Sequence, residues 1–207
     1  MKKHILSPAA GIHVRKHINE IVKELFRKSI HLCTAFIPVL LHRIGTPVLY
    51  ALSFMLVLYC ISEVLRFSGK NIPLISAVTQ AAARKRDENR FVLGPVTLVC
   101  GVILTAVVFE PLPAAVGIYA LAFGDGLASL SGKLYGRIQI PFTKGKTVAG
   151  SLTCFAAIFI SAFLSVGSAG AALIIAFAGM CIELLPLKDF DNLFIPIVIA
   201  LCCQVML

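Results

Sequence analysis

Between Pro111 and Leu130 the chain reads PLPAAVGIYALAFGDGLASL, an apolar run broken by one carboxylate, Asp125. A bilayer-spanning helix needs ~20 such residues. At ~1.5 Å per residue, Asp125 lies roughly 8 Å inside one end of the run. An ionisable group at that depth is costly and usually functional. Its neighbours Gly124 and Gly126 sharpen the point. Each weakens a helix by ~1 kcal/mol, and each lets a second backbone or a ligand approach the carboxylate closely.

The rest of the chain agrees with a bilayer setting. Of its 207 residues, 58% are hydrophobic and 14% charged, and the mean hydropathy is +0.93. Soluble domains average ~25% charged residues, and a core of this size cannot hide so much apolar surface. These figures exclude a soluble enzyme, a secreted domain and a disordered module. Seven apolar stretches stand out: Lys28–Leu41, Pro47–Leu65, Phe91–Phe109, Pro111–Leu130, Val148–Val166, Ala169–Pro186 and Asn192–Leu207. The middle five are long enough to span. The first needs its polar turn, Arg27 to His31, sheltered by protein, and the last is short. No barrel-like alternation is present, so helices must satisfy the backbone. The expected fold is an all-α, polytopic membrane bundle of about seven transmembrane helices. Residues 1–25 form an amphipathic lead-in and residues 26–207 a single catalytic domain.

Charge placement orients the bundle. With the N-terminus in the cytoplasm, every one of the 19 Lys and Arg residues except Arg43 falls on the cytoplasmic side, as the positive-inside rule requires. The net charge of +9 therefore reads as topology and attraction to anionic lipid rather than to nucleic acid. Two cytoplasmic stripes, Ile18/Ile21/Val22/Leu25 and Ile72/Ile75/Val78/Ala82, suit helices lying in the interface plane. Met1–Glu24 has no continuous apolar core, so no cleavable signal is expected. The seven cysteines all sit in apolar runs without metal-ligand spacing and read as buried hydrophobes.

Most of the remaining polar groups gather at the cytoplasmic end of the expected spans. Glu63 ends the second span, Asp125 lies in the fourth, Glu183 ends the sixth, and Asp191 and Asn192 open the seventh. Glu24, Arg27, Lys28 and His31 share one helical face before the first span. Past Asp125 two rows recur every four residues. Gly124, Ala128, Gly132 and Gly136 form a small-residue groove suited to close helix packing, within one chain or in a homodimer. Asp125, Ser129, Lys133 and Arg137 form a ladder from a carboxylate to two cations, which suits a metal-bound polyphosphate. The following loop carries Lys144, Lys146, Thr147, Gly150 and Ser151 into the fifth span, where a helix N-terminus offers N–H groups and a positive dipole end to an anion. Gly145-Lys146-Thr147 imitates the end of a P-loop, but Ile140 stands where that motif needs glycine and no strand precedes it.

At these residues the chain resembles the CTP-dependent lipid-alcohol kinases: dolichol kinase, phytol and polyprenol kinases, and CTP-dependent diacylglycerol kinase. The resemblance rests on Glu24-Leu25-Phe26-Arg27-Lys28-Ser29-Ile30-His31, on Glu63-Val64-Leu65-Arg66 and Gly94-Pro95, and above all on Phe123-Gly124-Asp125-Gly126-Leu127-Ala128 through Lys144-Gly145-Lys146-Thr147-Val148-Ala149-Gly150-Ser151. Glu183, Asp191-Asn192 and Pro196 close it. The chain departs from the family at Gly126, where alanine is common, at Gly145 within the lysine pair, and at Ala149, where the family often has Glu.

The resemblance implies a multi-pass membrane kinase with its site on the cytoplasmic side. It would transfer the γ-phosphate of CTP to the hydroxyl of a polyprenol, phytol or diacylglycerol, with Mg²⁺. Asp125, Glu183 and Asp191 would supply metal ligands. Lys133, Lys144, Lys146, Thr147, Gly150 and Ser151 would hold phosphates, with Gly124 and Gly126 allowing close approach. Arg27, Lys28 and His31 would add positive charge. Asp125 or Glu63 would orient the hydroxyl or accept its proton, and the residues alone do not choose between them. Two other classes fit less of the pattern. A cytidylyltransferase or phospho-alcohol transferase acting on a lipid phosphate would use similar groups but release a different product. A lipid transporter would need polar groups through both leaflets, and the outer half is almost bare of them.

Overall fold

The computed structural model describes residues 8–70, 73, 79, 90–143 and 145–207, with side chains from residue 19 onward. Lys144 and the stripe Ile72/Ile75/Val78/Ala82 lie outside the described residues, as does the side chain of Ile18. Nine α-helices are described: α1 (Pro8–Cys33), α2 (Phe36–Ile44), α3 (Pro47–Phe67), α4 (Gly94–Val108), α5 (Pro111–Tyr119), α6 (Gly126–Tyr135), α7 (Val148–Val166), α8 (Ala169–Leu184) and α9 (Asp191–Met206). A π-helical turn, Ala120–Asp125, joins α5 to α6 without a break. Among the described residues there is no β-strand beyond one bridge, between Gln139 and Thr147.

Three helical units are long and apolar enough to cross a membrane: α3, the continuous Pro111–Tyr135 unit, and α7. The expected spans near Phe91–Phe109, Ala169–Pro186 and Asn192–Leu207 are shorter apolar helices, α4, α8 and α9. The expected first span is not one helix. α1 ends at Cys33, and α2 begins at Phe36. Pro38 explains the break, because it has no N–H for the Thr34 carbonyl and its ring crowds that oxygen. The chain instead closes short turns there, with Thr34 N–H donating to His31 O and Ile37 N–H to Thr34 O, both at 3.0 Å. α1 itself runs unbroken across residue 25, where the sequence reading divided the chain.

α1 is turned inside out relative to a soluble helix. Glu24, Lys28 and His31 are buried, whereas Val22 is 56% and Leu25 47% exposed. That arrangement suits a helix with lipid on its outer side. α3 is also apolar outward, with Tyr50, Phe54, Met55, Val57, Ile61 and Val64 all exposed. The core lies where α5 and its π turn meet α7, α8 and α9, around Ile118, Leu121, Ile158, Ile175, Ile195 and Ile199. α9 approaches α4 and α5 closely. A Cβ on Gly101 would stand 2.3 Å from Asn192 O, and one on Gly117 would stand 2.3 Å from Pro196 O. Pro196 lies inside α9 and offers no N–H to the Asn192 carbonyl, which is the carbonyl that Gly101 admits.

Candidate functional site

The Pro111–Tyr135 unit is mostly buried and brings Asp125 into the bundle. The π turn carries one residue more than regular winding, a feature often found at functional positions, and Asp125 is its last residue. Lys28 of α1 donates to Asp125 Oδ2, and His31 Nδ1 lies 3.1 Å from the same oxygen. The His31 contact is not an aligned hydrogen bond, since its Nδ1 finds no acceptor in line. All three side chains are buried. Both contacts fall on Oδ2.

A second cluster forms the rim. Glu24 pairs with Arg27 on its own helix and with Lys133 Nζ across on α6 at 2.9 Å, and it accepts from Ser129 Oγ at 3.0 Å. Burial alone would raise the Glu24 carboxyl, but Arg27, Lys133 and Lys28 outweigh it and bring it down to about 2. A third cluster joins the loop before α7 to the end of α8. Lys146 Nζ sits 2.5 Å from Glu183 Oε1, and Ser151 Oγ is 3.4 Å from Glu183 Oε2. Burial opposes the charge on Lys146, but Glu183 dominates and holds the ammonium above its usual range.

The loop that delivers Lys146 is pinched like a small hairpin. Ile140 N–H donates to Lys146 O at 2.9 Å, and Val148 N–H donates to Ile138 O at 3.0 Å. Gly145 takes φ +98° at its turn, a left-handed conformation that costs glycine little. Thr147 then caps α7, its Oγ1 accepting from Gly150 N–H at 3.2 Å, a contact of the kind that steadies a helix start by ~1 kcal/mol.

These clusters surround one cavity of about 480 Å³, within the usual size range of ligand sites. Its wall includes Arg27, Lys28, Asp125, Lys133, Lys146, Thr147, Gly150, Glu183 and Asp191, all expected from the sequence. His31 and Ser151 stand just behind, touching Asp125 and Glu183. Glu63 does not line the cavity. Its carboxylate takes Arg66 at 2.6 Å and the Val92 N–H at 2.9 Å, fixing the approach to α4. Gly124 and Gly126 do not line it either. A Cβ on Gly124 would meet Ile158 at 2.7 Å, and one on Gly126 would meet Leu32 at 3.4 Å, so both serve helix packing. The small-residue row packs within this chain: a Cβ on Gly150 of α7 would stand 2.8 Å from Ala128 O. The polar row stops at Lys133, since α6 ends at Tyr135 and Arg137 is exposed.

Four lining residues escaped the sequence reading as ligand groups: Glu24, Ser129, Thr143 and Lys188. Glu24 and Ser129 lay in the quoted face and row. Lys188, with a left-handed φ of 62° between Glu183 and Asp191, had no pattern to betray it. Altogether the wall presents five basic and four acidic side chains. Among the described residues no three His, Cys, Asp or Glu side chains converge to hold a metal alone.

Comparison with known proteins gives the same direction as the motifs. The chain is 27% identical over 145 residues to a probable phytol kinase 1, chloroplastic, of Glycine max, covering 65% of this chain and 46% of that protein. It is 27% identical over 143 residues to phytol kinase 1, chloroplastic, of Arabidopsis thaliana, covering 66% and 46%. A probable phytol kinase 1 of Oryza sativa subsp. japonica matches at 24% over 157 residues. The chain spans about half the length of the curated relatives it matches. No family model matches, and no solved structure matches. The similarity bears out the resemblance to the lipid-alcohol kinases read from the sequence.

Proposed function

We propose, from that similarity, that the chain is a multi-pass membrane kinase whose cavity faces the cytoplasm. It transfers the γ-phosphate of CTP to the hydroxyl of a membrane lipid alcohol. The observation that carries this reading is the convergence of Asp125, Glu183 and Asp191 with Lys28, Lys133 and Lys146 on one water-accessible cavity. Phosphoryl transfer asks for positioning and charge neutralisation more than for covalent help, and alternating acids and bases around one cavity are suited to both.

The donor set fits Mg²⁺. The ion binds through one or two carboxylates plus substrate phosphates rather than in an all-protein cage, which agrees with four carboxylates in one wall and, among the described residues, no tight trio. Asp125 and Glu183 or Asp191 would hold it. When bound, Mg²⁺ would neutralise charge on the phosphate oxygens. Lys146 and Lys133 then bind the triphosphate as cations that rigid carboxylates already hold in place. Lys28 and His31 fix the orientation of the Asp125 carboxylate in the cavity wall. The choice of CTP over ATP rests on the family resemblance.

The test is purified protein in lipid with Mg²⁺, γ-labelled CTP or ATP, and a panel of phytol, polyprenol and diacylglycerol. A labelled lipid monophosphate with released CDP is expected. Release of pyrophosphate would favour a cytidylyltransferase, and no turnover of any alcohol would remove the kinase reading.

A further inference from the structure

A second cavity, of about 760 Å³, lies toward the opposite end of the helix that carries Asp125. α2, the turn at Gly45, the start of α3 and the α4–α5 corner enclose it. Leu41, Leu49, Ala106, Phe109, Ala115 and Tyr119 form its apolar wall, which contains no carboxylate. His42 and Arg43 are exposed, so they belong to the rim. Small side chains at Ala106, Ala114 and Ala115 keep the space open.

Between the two cavities the helix carries Tyr119 and Phe123. Tyr119 stacks on Phe123 with ring centroids 6.0 Å apart, and Phe123 precedes Asp125 by two residues. Both rings are only partly buried. α1 packs beside the π turn and α6, and α2 beside α5. Ala115 lies ten residues from Asp125, a rise of ~15 Å along the helix. The polar cavity has only Ala128, Leu185 and Pro186 as apolar side chains in its wall and offers a hydrocarbon chain little to bury against.

We propose that the apolar cavity receives the far end of the acceptor's hydrocarbon chain while its hydroxyl sits at Asp125. This rests on the kinase reading above and deepens it: the acceptor is a long, single-chain lipid alcohol, and the cavity selects for length. Ala115→Phe fills the space without touching the polar site. The expected result is that kcat/KM for phytol falls about ten-fold or more, the scale on which apolar pockets discriminate, while the value for geraniol, too short to reach Ala115, stays within about two-fold. An equal fall for both alcohols, or no fall for either, overturns the proposal.

A second measurement does not depend on turnover or on the variant folding. An isoprenoid alcohol with a diazirine at its tail end is photolysed on wild-type protein in nanodiscs. Cross-links on peptides bearing Leu49, Phe109 or Tyr119, suppressed by excess phytol and not by added phospholipid, support the tail site. Cross-links confined to the outer faces of α3 or α7, or suppressed equally by phospholipid, overturn it. If no alcohol is phosphorylated, the kinase reading fails by itself, and the cross-link pattern still decides what the cavity holds.

Discussion

Asp125→Asn tests the centre of the site. The substitution keeps size and shape and removes one charge. Lys28 and Asp125 are each 3% exposed, so the change leaves a buried ammonium beside His31 with its counter-charge gone. Removing one partner of a buried ion pair costs about 3–5 kcal/mol, against a total stability of ~5–15 kcal/mol for a typical domain. For a chain of this size ~1 kcal/mol moves Tm by ~2–4 °C, so the variant should melt about 6–20 °C lower. Asp125→Asn combined with Lys28→Met removes both charges and should recover most of that loss, giving a double-mutant cycle with a large coupling energy. Both proteins should lack transfer activity. The protein has no tryptophan, but Cys154 and Cys203 are buried free thiols, so a thiol-reactive dye in fixed detergent reports unfolding. If Asp125→Asn melts within about 2 °C of wild type, the pair does not hold this site together and the reasoning fails.

Glu24, held at about 2 against an ordinary 4.5, gives stability that is present above pH 4.5 and lost as pH falls from there through about 2. Glu24→Gln should therefore flatten the stability–pH curve across that window, by no more than about 3 kcal/mol, as acid titration of the melting temperature would show. Lys146→Ala should raise KM for the nucleotide about ten-fold or more with a smaller effect on kcat, and an unchanged nucleotide affinity by equilibrium dialysis would make the loop a topology signal only. Gly126→Ala should be tolerated, because its Cβ meets Leu32 at an ordinary 3.4 Å. Gly150→Ala puts a Cβ 2.8 Å from Ala128 O and should cost about 1–3 kcal/mol, visible as lower yield and Tm.

Much of the site could be read from the chain because its parts are costly to place in lipid. Asp125, Glu183 and Asp191 stand out in apolar surroundings, and the lysines near them fall at spacings that mark a common end of the bundle. Their pairings could not be read. Nothing in the spacing says that Lys28 rather than Lys133 meets Asp125, or that Lys146 meets Glu183, since partners 97 and 37 residues apart are set by packing. Glu63 looked like Asp125 by hydropathy and proved to be a clasp for the chain before α4. The first span misled for a local reason: hydropathy averages over Pro38, whereas backbone hydrogen bonding does not. Gly124 pointed correctly to close approach, but what approaches is Ile158, and a Cβ on Gly126 would make only ordinary contact with Leu32.

The surplus residue in the winding before Asp125 decides where a count matters. Deleting one residue between positions 120 and 124 lets the turn relax to ordinary pitch and leaves Asp125 facing Lys28, whereas deleting one from the regular winding of Pro111–Tyr119 swings the carboxylate about 100° round the axis. Spacing from Pro111 to Tyr119 is thus a quantity to keep when segments are grafted, and a misplaced gap there would pair the wrong side chains between relatives that otherwise superpose well.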